Sequence, residues 1–121
     1  MSRILVVDDQ EDNRRILRDL LGASGYAVLE ATTGEEAVAS AEAHVPDLIL
    51  MDIQLPGIDG YEATRRIKAK PALRRIPLIV VTSYALSGDD AKASAAGADA
   101  YVSKPFSPRA LLAKVRAYLP S

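Results

Sequence analysis

The feature that most constrains this chain is the run Leu48-Ile49-Leu50-Met51, apolar without a break, which ends on one carboxylate, Asp52, and stops at Pro56-Gly57. A short continuous apolar run bounded by turn formers reads as a strand covered on both faces, as in the middle of a parallel sheet. Carboxylates are seldom buried unless a cation or a charged partner compensates them. Asp52 at the tip of such a strand therefore reads as a site and not as a packing residue.

Short apolar runs alternate with stretches of helical periodicity along the rest of the chain. The first strand is expected at 4–7, followed by a helix over 11–21 in which Ile16, Leu17, Leu20 and Leu21 share a face and Gly22 and Gly25 offer the stop. A second strand at 27–30 precedes Thr33-Gly34-Glu35-Glu36, which has the capping-box form, with Ala37, Val38 and Ala41 on the inner face of a helix that ends before Pro46. After the central strand, Asp59-Gly60-Tyr61-Glu62 is a second box-like start, for a helix reaching about Ala69. A fourth strand is expected at 76–81. Ser87-Gly88-Asp89-Asp90 opens a fourth helix that buries mostly Ala91, Ala95 and Ala96 and stops at Gly97, so it should be held weakly. The last strand, 100–102, leads to Lys104-Pro105, and Ser107-Pro108 starts a helix with Leu111, Leu112, Val115 and Leu119 inward.

Five strands alternating with five helices predict an α/β, doubly wound fold with a mostly parallel sheet, because right-handed crossovers return each strand beside a neighbour. Ligands of such sheets sit beyond the carboxyl ends of the strands. The polar residues expected there are Asp8 and Asp9 after strand one, Asp52 after strand three, Thr82 and Ser83 after strand four, and Ser103 and Lys104 after strand five. Strand two offers nothing comparable, as expected of an edge.

Composition narrows the chemistry. The 121 residues, 49% hydrophobic, fit a single domain spanning 1–121 with a real core and no linker. A net charge of −1 and a pI near 5.8 remove the bulk attraction on which a nucleic-acid binder relies. There is no Cys and only one His, His44, so neither a thiolate nor an imidazole pair can hold a metal. No apolar run approaches the length of a membrane span, and a cytoplasmic protein is expected. Three carboxylates gathered at one strand edge would repel one another, and a divalent cation such as Mg²⁺ resolves this with oxygen ligands. One Asp52 oxygen would remain free to attack phosphorus and form an aspartyl-phosphate, with Thr82 and Lys104 available to stabilise the transferred group.

These residues carry a resemblance. Asp8-Asp9, the stretch Met51-Asp52-Ile53-Gln54-Leu55-Pro56-Gly57-Ile58-Asp59-Gly60, Thr82 and Lys104-Pro105-Phe106 resemble, at the expected spacings over the whole chain, the receiver domain of bacterial two-component response regulators. The resemblance implies the flavodoxin-like receiver fold with strand order 2-1-3-4-5. It implies Asp52 as the phosphoacceptor, with Mg²⁺ held by Asp9, Asp52 and the backbone carbonyl of Gln54, and by Asp8 through water. Thr82 would then hydrogen-bond the phosphoryl group, Lys104 would pair with it, Tyr101 would be the aromatic switch, and the Lys104–Pro105 peptide would be cis. The implied function is a phosphorylation-dependent signalling switch, not an enzyme beyond its own phosphorylation and dephosphorylation. Its implied partners are a histidine kinase or histidine phosphotransfer protein and a downstream protein target, reached through the face of helix 4, strand 5 and helix 5; a phosphorylation-dependent homodimer is left open, and neither nucleic acid nor membrane is expected.

Within the family, Ser83 stands where alanine is usual, and Gln54 and Tyr84 occupy positions that modulate how fast the phosphoryl group is lost. The pattern from Met51 to Thr64 is most similar to single-domain cell-division regulators of the DivK type, although receivers fused to hybrid histidine kinases share much of it. A chain ending at Ser121 without an output domain agrees with a single-domain regulator.

Simpler readings compete residue by residue. Asp8 and Asp9 alone could cap a helix, Thr82 could be a strand-end hydroxyl, Lys104 a solvated lysine, Tyr101 a half-buried aromatic and His44 a helix-end residue. Arg65, Arg66, Lys68, Lys70, Arg74 and Arg75 read first as a solvated face and only second as a docking patch. Two other functions compete, one sharing an aspartyl nucleophile at a strand tip and one sharing the sheet order. A hydrolase of the haloacid-dehalogenase type needs a second Asp where Gln54 stands. An FMN or nucleotide carrier needs a phosphate-cradling loop after strand one, where Asp8-Asp9 would repel phosphate.

Overall fold

The computed structural model describes residues 2–82 and 89–119. The strands are β1 (Arg3–Val7), β2 (Ala27–Ala31), β3 (Leu48–Asp52), β4 (Leu78–Thr82) and β5 (Ala100–Ser103). The helices are α1 (Glu11–Ala23), α2 (Gly34–His44), α3 (Gly60–Lys68), α4 (Asp89–Ala96) and α5 (Pro108–Tyr118). All strand pairs are parallel and the order is β2-β1-β3-β4-β5, as the alternation and the resemblance imply.

β3 is buried at every position, in keeping with a strand covered on both faces. Strand alternation sends Leu5, Val7, Ile49, Met51, Leu78 and Val80 to a core shared with α2, α3 and α4, and sends Ile4, Val6, Leu48, Leu50, Ile79 and Val81 to a core shared with α1 and α5. Each fully buried Leu or Ile in these layers contributes about 1.5–3 kcal/mol from burial, so the sheet centre is the most strongly held part of the chain.

Local chemistry sets the ends of the elements. Thr33 accepts from the Glu36 amide at 3.0 Å, and the Glu36 carboxylate reaches back to the Thr32 amide at 2.9 Å, one residue before the expected partner. Asp59 caps α3 by accepting from the Glu62 amide at 2.8 Å. Here the second half of the expected box is absent, because the Glu62 carboxylate takes Arg65 and Arg66 at 3.0 and 2.9 Å instead. Ser107 caps α5 at 3.0 Å, with Pro108 as its first residue.

Two further expectations need correction. β4 starts at Leu78 and not at residue 76: Ile76 closes a turn on Leu73, and the Leu78 amide bonds the Asp99 carboxylate at 2.8 Å. On α4 the buried alanines are Ala93 and Ala96, while Ala91 and Ala95 face solvent. A three-residue spacing selects that face, and the two methyl groups bury little area. The expected opening of this helix at Ser87-Gly88 lies outside the described residues.

At the amino-terminal edge of the sheet, Asp99 gathers several elements. Its Oδ2 accepts from Lys68 of α3 at 2.9 Å as well as from Leu78 of β4, and its carbonyl accepts from the Tyr118 hydroxyl of α5 at 3.0 Å. The same Lys68 ammonium donates to the carbonyls of Arg74 and Ile76 at 3.1 and 2.7 Å. No helix among the described residues is long and apolar enough to cross a membrane.

Candidate functional site

At the opposite, carboxyl-terminal edge, the register brings the expected residues together. β1 and β3 are neighbours, with Val7 opposite Met51, so Asp8 and Asp52 leave the sheet side by side. One oxygen from each of Asp8, Asp9 and Asp52 lies within 4.8 Å of the others. Asp8 is 3% and Asp52 8% exposed, whereas Asp9 is exposed. Asp8 is tied on every side: its amide donates to the Ala31 carbonyl at 3.1 Å, its Oδ1 accepts from the Gln10 amide at 2.9 Å, and its carbonyl accepts from Arg14 at 2.9 Å.

Lys104 arrives from the other side. Its amide donates to the Thr82 carbonyl at 2.6 Å, extending the β4–β5 pairing one residue beyond Ser103, and the Lys104–Pro105 peptide is cis as the resemblance implies. The ammonium stands 3.4 Å from Asp8 Oδ2 and 3.5 Å from Asp52 Oδ1. Burial pushes the Asp52 carboxyl above its usual range; Lys104 pulls it down, the Asp8 charge pushes it up, and the upward effects prevail.

The chain leaves Asp52 through a close approach. The Gly60 amide donates to the Ile53 carbonyl at 2.9 Å, and a Cβ on Gly60 would lie 2.1 Å from the Asp52 carbonyl oxygen. Gly57, with φ +79, supplies the left-handed turn beneath Leu55-Pro56. Gln54 is exposed two residues beyond Asp52.

Thr82 is buried and follows Val81, the register partner of Asp52. Alternation turns Thr82 to the sheet face covered by α3 and α4, where half-buried Tyr101 also packs. Because Tyr101 pairs with Val80 and Ser103 with Thr82, Thr82 and Tyr101 are diagonal neighbours on one face. Ser83 and Tyr84 lie outside the described residues.

The site touches an apolar groove of about 510 Å³ between α1 and α5, lined in part by Leu17, Leu20, Leu50, Val81 and Phe106 and bordered by Ile16. His44 is exposed at the end of α2, as a helix-end residue should be. Of the basic run, Arg65 and Arg66 pair with Glu62 and Lys70 with Glu42 at exposed positions, whereas Lys68 is largely buried on Asp99 and so is not part of a solvated face.

Sequence reasoning missed a second layer supplied by β2. Glu30 accepts from Arg14 at 3.1 Å and from Arg18 at 2.8 Å, and so ties the start of α1 to β2 behind the acidic cluster. No motif marks a pair sixteen residues apart; a basic i, i+4 pair on α1 facing an acid at a strand end was the available signal.

The all-oxygen donor set suits a hard divalent cation such as Mg²⁺ better than a thiolate- or imidazole-seeking metal. Comparison with known proteins agrees. Residues 4–116 match the family model of the response regulator receiver domain. The polar-differentiation response regulator DivK of Brucella ovis is 43% identical over 116 residues, covering 96% of this chain and 94% of that protein. A response regulator from Chloroflexus aurantiacus superposes with a TM-score of 0.93 at 32% identity, over 99% of this chain and 98% of that one. The receiver domain of a sensor histidine kinase from Pseudomonas aeruginosa, crystallised with a magnesium ion coordinated in its active-site cleft, gives 0.92 at 39% identity over 99% and 98%. With residues 4–116 matched to one family model and a DivK regulator 43% identical across nearly the whole of both chains, this protein belongs to the response regulator receiver domains of two-component signalling, with a DivK-like sequence.

Proposed function

We propose that Asp52 accepts a phosphoryl group from a phosphohistidine on a histidine kinase or phosphotransfer protein, and that the modification alters affinity for a downstream protein through α4, β5 and α5. The observation that carries this reading is the convergence of Asp8, Asp9 and Asp52 within 4.8 Å beside the Lys104 ammonium. Asp9, Asp52 and the Gln54 carbonyl would hold Mg²⁺, with Asp8 behind them. Bound there, the ion would supply neutralisation of the acidic cluster and of charge on the transferring group.

The chain's own residues do the rest. An Asp52 oxygen forms the bond to phosphorus as the phosphorus–nitrogen bond to the donor imidazole breaks; the nitrogen leaves with the bonding pair and takes a proton from solvent. Lys104 exchanges its carboxylate partners for the phosphoryl oxygens, and the Thr82 hydroxyl donates to one of them. Movement of Thr82 makes room for Tyr101, its diagonal neighbour, and Tyr101 borders α4, whose buried described residues are the alanines Ala93 and Ala96. A small bias at the site is thereby turned into a change of the α4–β5–α5 face. The only covalent chemistry proposed is gain and loss of its own phosphoryl group, and the compartment proposed is the cytoplasm.

Incubation with acetyl phosphate and Mg²⁺, followed by intact mass spectrometry, tests the reading. Wild type should gain the mass of one phosphoryl group, and Asp52→Ala should gain none. Equal labelling of both, or none on wild type, would overturn it.

A further inference from the structure

We propose that Arg14 is a positioning residue for the cation site: it fixes the peptide plane between Asp8 and Asp9 and thereby aims the Asp9 carboxylate at Asp8 and Asp52. The inference rests on the cation reading above. Asp9 is exposed, and among the described residues its side chain makes no hydrogen bond or ion pair. Its direction is therefore set by the main chain that carries it. The Asp8 carbonyl belongs to the peptide that joins Asp8 to Asp9, and peptide planarity means that holding this oxygen also holds the nitrogen and Cα of Asp9.

Arg14 holds it at 2.9 Å through Nη1. The guanidinium is itself fixed by three acceptors in different directions: the Asp8 carbonyl, Glu30 Oε1 on Nε at 3.1 Å and Glu11 Oε2 on Nη2 at 2.5 Å. Its side chain is 12% exposed, so water competes little for these donors. The planar five-donor fork of arginine suits such a three-way junction, and a lysine ammonium could not span it. On its other side the Asp8 amide is tied to Ala31 at 3.1 Å. Both peptides flanking Asp8 are thus referred to the end of β2, a strand that contributes no residue to the acidic cluster. Arg18 shares Glu30 and Glu11 with Arg14 but contacts no main-chain atom of the site, which makes it the natural control.

The test titrates Mg²⁺ into isotopically labelled wild type, Arg14→Met and Arg18→Met, following the amide resonances of Asp8, Asp9 and Asp52, with urea unfolding of each protein alongside. Arg14→Met should weaken Mg²⁺ binding roughly tenfold, the low end of what loss of groups that orient metal ligands costs. The Mg²⁺ concentration for half-maximal labelling by acetyl phosphate should rise in step, while the rate at saturating Mg²⁺ stays within about twofold of wild type. Arg18→Met should lose stability yet bind Mg²⁺ as wild type does. Wild-type Mg²⁺ affinity in Arg14→Met, or equal weakening in Arg18→Met, would overturn the proposal and leave the cation reading intact. Absence of saturable Mg²⁺ binding in wild type would overturn both. If Arg14→Met does not fold, Glu30→Gln, which keeps Arg14 but loosens its Nε arm, should show the same weakening at smaller size, and wild-type affinity there would count against the proposal.

Discussion

Gly60 abuts the main chain of Asp52 so closely that a Cβ at position 60 would lie 2.1 Å from the Asp52 carbonyl oxygen. The amino-terminus of α3 is therefore seated directly on the residue proposed to carry the phosphoryl group. Gly60→Ala must push α3 or the end of β3 aside, and neither can yield cheaply because the contact is with backbone. A loss of about 1–3 kcal/mol in urea unfolding is expected, the range of overpacked sites. Labelling of Asp52 by acetyl phosphate should fall with it; a variant as stable and as readily labelled as wild type would contradict this account.

Asp52 should be a cost to the metal-free protein. Its carboxyl lies above the usual range because burial penalises the charge. The folded state then binds more protons than the unfolded state between the ordinary carboxylate pKa and the raised one, so this group's contribution to stability falls as pH rises through that window. Asp52→Asn, with divalent ions removed, should melt a few degrees higher at neutral pH, the shift produced by roughly 1 kcal/mol in a domain of this size, and should lack that segment of the pH profile. A lower melting temperature for the variant would show that the Lys104 ion pair outweighs burial.

Glu30 should behave in the opposite sense. Burial raises its carboxyl, but hydrogen bonds from Arg18 and Arg14 outweigh burial and leave it below the ordinary value. Its contribution is fully present above the ordinary carboxylate pKa and is lost as pH falls through the lowered one. Glu30→Gln should cost about 1 kcal/mol at neutral pH, a figure kept small because the pair is partly exposed, and the difference from wild type should shrink on acidification. A difference independent of pH would place the effect in packing.

Lys104→Met removes the cation between Asp8 and Asp52 and leaves two buried carboxylates facing each other. Without Mg²⁺ the variant should be less stable than wild type, and Mg²⁺ should raise its melting temperature by more than it raises that of wild type. Labelling at Asp52 should persist, while binding of the downstream partner should no longer distinguish the labelled from the unlabelled protein. Identical Mg²⁺-induced shifts in the two proteins would refute the counter-charge role.

How much of this was legible in the sequence follows from how local each interaction is. The strands were readable because unbroken apolar runs admit one placement in a doubly covered sheet, and once the runs were ordered, Asp8, Asp9, Asp52, Thr82 and Lys104 had to fall at one edge. The α4 face was not readable, since Ala91, Ala93, Ala95 and Ala96 are chemically alike and no periodicity separates them. The capping role of Glu62 was misread because its three-residue spacing from Asp59 fits a box, yet two arginines on the next turn compete for the same carboxylate. The tie between Arg14 and Glu30 depends on the β1–β2 register, a property of the assembled sheet and not of any segment.

The cluster around Asp99 bears on motion. β5 is fastened at its beginning to α3, β4 and α5 through the bonds of one aspartate, and at its far end it leads to Lys104 beside Asp52, the proposed phosphoacceptor. Were the proposed phosphorylation to pull on Lys104, such a strand would act as a lever with its fulcrum at Asp99, with displacement smallest there and growing toward Ser103 and Lys104. Tyr101 lies partway along that arm, so the rigidity of the amino-terminal edge of the sheet would set how far the proposed event at Asp52 reaches.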